Sequence, residues 1–230
     1  MRPFLAAAIP MGAAGLCQQL YFYVDNLFVR PIEGDEALGH YNVAVRIMSY
    51  AIMVAVYAPQ AALPWLTRQH QEGRLGDAVA RLAQPLFALA GLGAGLAWPF
   101  AGAILRLFGE GFDAAAPALE WLLVSSAVIY LGASLLTAVV AAGRTRAVLW
   151  IALCGLGVNL AGNTYAVPRL GLEGAALATL ATEVTVVLAS IVVLIVRGAP
   201  PLGAQPWRWL GGPLAFMLGR ALTGFWFPIS

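Results

Sequence analysis

The chain has 230 residues, of which 61% are hydrophobic and only 10% charged, and its formal net charge is +2. An average soluble domain carries about 25% charged residues. A water-soluble globule could not hide this much apolar surface, so the composition excludes that class, and no nucleic-acid partner is expected.

Taken in chain order, residues 4–24, 47–67, 82–105, 121–143 and 147–168 hold no charged side chain, and 174–196 is interrupted only by Glu183. At 1.5 Å per residue each crosses about 30 Å of hydrocarbon. The first run is longer than the apolar core of a cleavable signal peptide and leads into no polar domain, so it is expected to stay as the first helix. The expected fold is therefore all-α and integral to the membrane: a six-helix transmembrane bundle over 1–197. A connector rich in Pro and Trp follows at 198–209. A candidate seventh membrane segment occupies 210–230, although Arg220 interrupts it at a cost of about 2.5–3.5 kcal/mol on insertion scales.

All the basic residues are arginines. If the helices alternate, Arg2, Arg68, Arg74, Arg81, Arg144, Arg146, Arg197 and Arg208 share one side, and Arg30, Arg106 and Arg169 the other. The positive-inside rule then puts the N-terminus in the cytoplasm, with the acidic stretch Glu33, Asp35, Glu36 outside. The link 67–81 sets Leu75, Val79 and Leu82 against Arg74, Asp77 and Arg81, a pattern expected to lie along the membrane surface.

Polar residues recur at helical spacing inside the apolar runs. Helix 1 carries Gln18, Tyr21 and Asp25, and helix 2 carries Arg46, Tyr50, Tyr57 and Gln60. Helix 4 has Ser126, Tyr130, Ser134 and Thr137, helix 5 has Asn159 and Asn163, and helix 6 has Thr179, Thr182, Glu183 and Ser190. Such stripes are satisfied together if they face a common polar cavity, with helix 3, which has none, at the periphery. The plainer alternative is that the hydroxyls bond locally or to a neighbouring helix.

Among the ionisable groups, Glu183 sits about 13 Å into its helix from Gly174, near the midplane, where no side chain snorkels. It is either a structural carboxyl bonded within the bundle or a coupling group. Arg46 would lie only about 7 Å below the outer end of helix 2 and could snorkel, and Asp25 could be a simple helix-end charge. Gly91 and Gly95 form a GxxxG pair that admits a close helix neighbour. Cys17 and Cys154 read as buried thiols, and His40 and His70 have no partners at ligand spacing, so neither a metal site nor a cofactor is expected. No nucleophile elbow, phosphate loop or catalytic carboxylate pair is present, which argues against an enzyme.

The segments GDEALGHYNVAVRI (34–47), LFGEGFDAAAPALEWL (107–122), AAGRTR (141–146) and PRLGLEGAALAT (168–179), with Asp25 and the Tyr41, Ala44, Arg46 pattern, carry a family likeness. In order and loop side they resemble the C-terminal half of bacterial polysaccharide flippases of the O-antigen type, in the multidrug/oligosaccharidyl-lipid/polysaccharide exporter superfamily. The resemblance implies alternating-access transport of a polyprenyl-diphosphate-linked oligosaccharide. On that reading Arg46 meets the anion, Gln60, Asn159 and Asn163 the sugar head, and Glu183 or Asp25 the coupling charge, with Gln18 and Tyr50 also on the lining. The family normally carries twice as many helices, so the chain is expected to be a fragment, a truncated product, or a half-transporter that pairs with a second half-transporter or as a parallel homodimer. Two alternatives are a cation-coupled drug or metabolite exporter of the same superfamily and a non-transporting scaffold for envelope polysaccharide synthesis.

Overall fold

The computed structural model describes residues 2–201 and 209–226, with side chains over 8–201 and 209–223. The described residues form helices α1 (Arg2–Tyr23), α2 (Asp25–Ala51), α3 (Met53–Gln71), α4 (Leu75–Ala97), α5 (Ala101–Arg106), α6 (Ala116–Ala141), α7 (Thr145–Val196) and α8 (Gly211–Trp226). Two of these fold back on themselves. In α2 the turn is at Gly34 (φ 89°), and in α7 at Gly171 (φ 56°), conformations that L side chains rarely adopt.

Around Gly171 the two arms of α7 approach closely enough that glycine is required on both sides. A Cβ at Gly162 would meet that of Ala178, and a Cβ at Gly174 would strike the Ala166 backbone. The outer turn of α2 packs on this reversal, with the Glu33 carboxylate against Gly171. Trp121 Nε1 donates to Glu173 Oε1 at 2.8 Å and ties α6 to the same end.

Four apolar stretches are long enough to cross a membrane: Ala8–Gln71, Leu75–Arg106, Phe112–Ala141 and Thr145–Val196. Because the first and last each contain a reversal, they supply six passes. The chain is thus an all-α, multi-pass membrane bundle. One core cluster, with Tyr41, Met48, Leu119, Leu122 and Val167, fills the Gly34 end. A second, with Leu66, Leu75, Val79, Leu135, Val139 and Leu194, fills the opposite end.

Three expectations change. The link 67–81 is not a surface helix, since α3 runs on to Gln71 and α4 starts at Leu75, with Leu75 and Val79 buried in the core. Its amphipathic pattern is that of an ordinary helix start, apolar face inward. The stretch from Asp35 onward is helical rather than a loop, which moves Arg46 to about 16 Å beyond the reversal, far deeper than its distance from the apolar run implied.

Helix α4 is also not peripheral: α6 packs on one side of it and α8 on the other. Gly91 faces the Gly212 backbone, Gly95 that of Phe216, and Gly219 the backbone of Leu92 and Leu96, so the GxxxG pair receives α8. Arg220 in α8 lies 5.3 Å from the Trp98 ring centroid, and its charge acts on Glu120. That contact offsets part of the cost of an arginine among apolar helices. Most of the 198–209 connector, and residues 227–230 of the final segment, lie outside the described residues.

Candidate polar site between the two helical hairpins

The two reversals set a register. Asn163 and Thr179 stand eight residues before and eight after Gly171, while Asp25 and Tyr41 stand nine before and seven after Gly34. All four therefore lie at one depth, about 12 Å in from their turns.

They meet there. Tyr41 Oη donates to Asp25 Oδ2 at 2.7 Å and Asn163 Nδ2 to Asp25 Oδ1 at 2.7 Å. The Thr179 hydroxyl lies 3.2 Å from Asp25 Oδ2 and 3.2 Å from the Ala175 carbonyl, sharing its single proton between them. Asn163 Nδ2 also reaches the Asn159 carbonyl at 3.0 Å and Asn159 Oδ1 at 3.1 Å. Asp25 is 3% exposed and Asn159 and Asn163 are equally buried, so Asp25 is no solvated helix-end charge. Val24, between α1 and α2, keeps helical φ −66° and ψ −26° and its N–H donates to the Leu20 carbonyl at 2.8 Å, so Asp25 follows α1 without a sharp break.

Two buried polar atoms in this cluster have no partner: Asn163 Oδ1 and Asn159 Nδ2. A water-sized void, lined by Tyr21, Phe22, Asp25, Val45, Met48, Leu122 and Thr179, adjoins the carboxylate. One carboxylate with amide, hydroxyl and carbonyl oxygens is a donor set for a hard monovalent cation or a proton. One helical turn further in, Glu183 is buried at 4% exposure, and the Tyr21 phenol is the side chain placed to hydrogen-bond it. Tyr21 also approaches Gly155, so with Glu183 facing it α1 packs against both arms of α7.

The structure brings together Asp25, Asn159 and Asn163, sets Glu183 beside them, and leaves Gln18 half-buried on α1. Arg46, Tyr50 and Gln60 stand apart. They occupy, with Tyr57, an exposed face of α2–α3 on the side away from the core residues Ala44, Met48 and Ala55. Arg46 makes no ion pair among the described residues.

A single polar cavity shared by five helices is thus not what forms. Apart from Thr179 and Tyr130, the striped hydroxyls of α6 and the second arm of α7 are spent on their own backbone: Ser134 on Tyr130, Thr137 on Ala133, Thr182 on Ala178 and Ser190 on Val186. That is the locally bonded arrangement a scaffold would also have. Tyr41 and Thr179 are also ligands of Asp25; the sequence placed Thr179 in a polar stripe and Tyr41 in the family pattern, but assigned neither a role at the site. The signal for them is the paired register about Gly34 and Gly171. His40 stacks at 4.7 Å on Phe112 at the Gly34 end. His70 lines a shallow cleft with Arg144 and Arg197 at the other end, so the two histidines share no site.

The model of the MatE family matches residues 10–165 of the chain. A solved structure of a MOP superfamily transporter from Pyrococcus furiosus superposes with a TM-score of 0.68 at 19% identity, over 94% of this chain and 52% of that one. That transporter is described as having a binding pocket of reversed polarity that suggests a different function. The likeness shows the fold, and the chain spans about half the length of the archaeal transporter. No curated protein matches.

Proposed function

The chain belongs to the MatE family of membrane transporters, and from that premise we propose that it forms one bundle of an alternating-access exporter of an anionic amphiphile, of the lipid-linked oligosaccharide class. The observation that carries this reading is Arg46, an arginine without a carboxylate partner on an uncovered helix face, in line with Tyr50, Tyr57 and Gln60. Arginine suits a diphosphate, and Tyr and Gln suit sugar hydroxyls. Left to lipid, such a face is costly, so it calls for a second bundle across a cavity, either a separate half or a second copy in parallel. On this reading the chain lies in a bacterial inner membrane, N-terminus in the cytoplasm, and stands where the second half of a polysaccharide flippase would.

The Asp25 cluster supplies the coupling. Its unpartnered acceptor, Asn163 Oδ1, together with the Asp25 carboxylate is the place assigned to a proton or sodium ion, and filling it would bear on the join of α1 and α2 at Val24. The same cluster favours a second reading, cation-coupled export of a drug or metabolite by the same bundle.

The experiment that separates them is equilibrium binding of a polyprenyl diphosphate to the purified chain in detergent, against the uncharged polyprenol. Arg46→Gln is expected to weaken the diphosphate by about tenfold, the worth of ~1.4 kcal/mol, and leave the polyprenol unchanged. Equal loss for both lipids, or none, removes the lipid-linked oligosaccharide reading and leaves the drug or metabolite exporter.

A further inference from the structure

The exposed face of α2 and α3 is not carried on one continuous helix. Around Ile52 the ladder is disturbed: Ile52 N–H still bonds the Met48 carbonyl at 3.0 Å and Val56 N–H the Ile52 carbonyl at 3.1 Å, but Ile52 takes φ −86° and ψ 0°, and α3 begins at Met53. No proline or glycine lies there to account for it. What stands there is Tyr130 of α6, whose hydroxyl donates to the Ala51 carbonyl at 2.8 Å. In an unbroken α-helix the Ala55 N–H would bond that carbonyl. The phenol thus takes the acceptor of the Ala51–Ala55 rung, and a side chain inserted at the ladder is one of the recognised causes of a sharp kink.

The position of the wedge matters because of what it divides. Arg46 and Tyr50 lie on the α2 side, fixed to the bundle through Tyr41 and its bond to Asp25. Tyr57 and Gln60 lie on the α3 side, on a helix that also contains Pro59 and Pro64. Tyr130 itself is on α6, a helix buried along most of its length and therefore a firm base for the contact.

We propose that Tyr130 is a positioning residue: by occupying the Ala51–Ala55 rung it holds a hinge at Ile52, about which α3 swings relative to α2, changing how Tyr57 and Gln60 are presented beside Arg46 and Tyr50. With the phenol in place it satisfies the Ala51 carbonyl; with the phenol withdrawn the Ala55 N–H is the ladder's own donor to that carbonyl, so the carbonyl has a partner in either geometry.

The test is a distance measurement on the full chain with Cys17 and Cys154 replaced by Ala and spin labels at Arg68→Cys, near the far end of α3, and Arg146→Cys, on α7. Sixteen residues separate Ile52 from position 68, a lever of about 24 Å, so a 20° change of bend moves the label by about 8 Å. Wild type is expected to give one distance. Tyr130→Phe, which removes only the hydroxyl, is expected to add a second population displaced by several Å. Ala55→Pro in the Tyr130→Phe background should restore the wild-type distance, because proline has no N–H to close the rung and its ring takes the space the hydroxyl leaves. A Tyr130→Phe distribution that coincides with wild type overturns the proposal. So does a shift that proline fails to reverse, which would make Tyr130 a packing residue. These readouts do not depend on what the bundle transports.

Discussion

Removing the Asp25 carboxylate should cost less than a count of its hydrogen bonds suggests, and most of the cost should sit on one partner. In Asp25→Ala, Asn163 keeps its bonds to Asn159 at 3.0 and 3.1 Å, and Thr179 keeps the Ala175 carbonyl at 3.2 Å. Tyr41 is different. It is 1% exposed, and its hydroxyl, 2.7 Å from Asp25, has no second hydrogen bond of that quality. Stranding one buried hydroxyl costs about 1–3 kcal/mol, and the void left by the carboxyl adds a further cavity penalty.

Tyr41→Phe alone should cost about 0.5–1.5 kcal/mol, since Asp25 retains Asn163 and Thr179. Introduced into Asp25→Ala, the same change removes the stranded group and should be nearly neutral or stabilising. The double-mutant cycle should therefore give a coupling of about 1–2 kcal/mol. Unfolding in mixed micelles, driven by a denaturing detergent and followed by circular dichroism, measures it. Additivity within about 0.5 kcal/mol would refute the assignment of Tyr41 as the partner that depends on Asp25.

The other expectations are more direct. Cysteines at Arg74→Cys and Arg144→Cys should label from the cytoplasmic side only, following the concentration of arginines at that end of the bundle; strong labelling from outside would invert the orientation. Glu183→Gln should leave the folded fraction close to wild type, because the Tyr21 phenol can bond an amide, yet reduce transport; unchanged flux at equal folded protein would leave Glu183 with a structural role only. Gly95→Leu should detach α8, since even a Cβ there would collide with the Phe216 backbone, and overpacking of this kind costs about 1–3 kcal/mol; protection of α8 from proteolysis equal to wild type would contradict the packing. Cysteines at Tyr50 or Tyr57 should crosslink to a second bundle in native membranes, and a strictly monomeric protein that still transports would defeat the pairing.

How far the sequence could carry the reading depended on the chemistry of each side chain. The passes were legible because charge is costly in hydrocarbon, and six uncharged or nearly uncharged runs leave little choice of where the helices go. Depth was less legible. Gly34 lies among charged residues that look like a loop, and only a tight reversal there, with helix resuming at once, sets Arg46 about 16 Å in from the turn, on the exposed face, and brings Tyr41 level with Asp25.

The stripes divided along the same chemical line. A serine or threonine hydroxyl has one proton and can give it to its own helix four residues back, so Ser134, Thr137, Thr182 and Ser190 obey helical spacing without needing a cavity. An asparagine amide has two donors and an acceptor, and a carboxylate at least two acceptors, more than one turn of helix can satisfy. Asp25, Asn159 and Asn163 therefore had to find one another across helices. Having done so, they leave Asn163 Oδ1 and Asn159 Nδ2 unmatched. The side chains that a single helix cannot satisfy are the ones that built the site, and the one acceptor they leave over, Asn163 Oδ1, is the atom on which the proposed cation coupling rests.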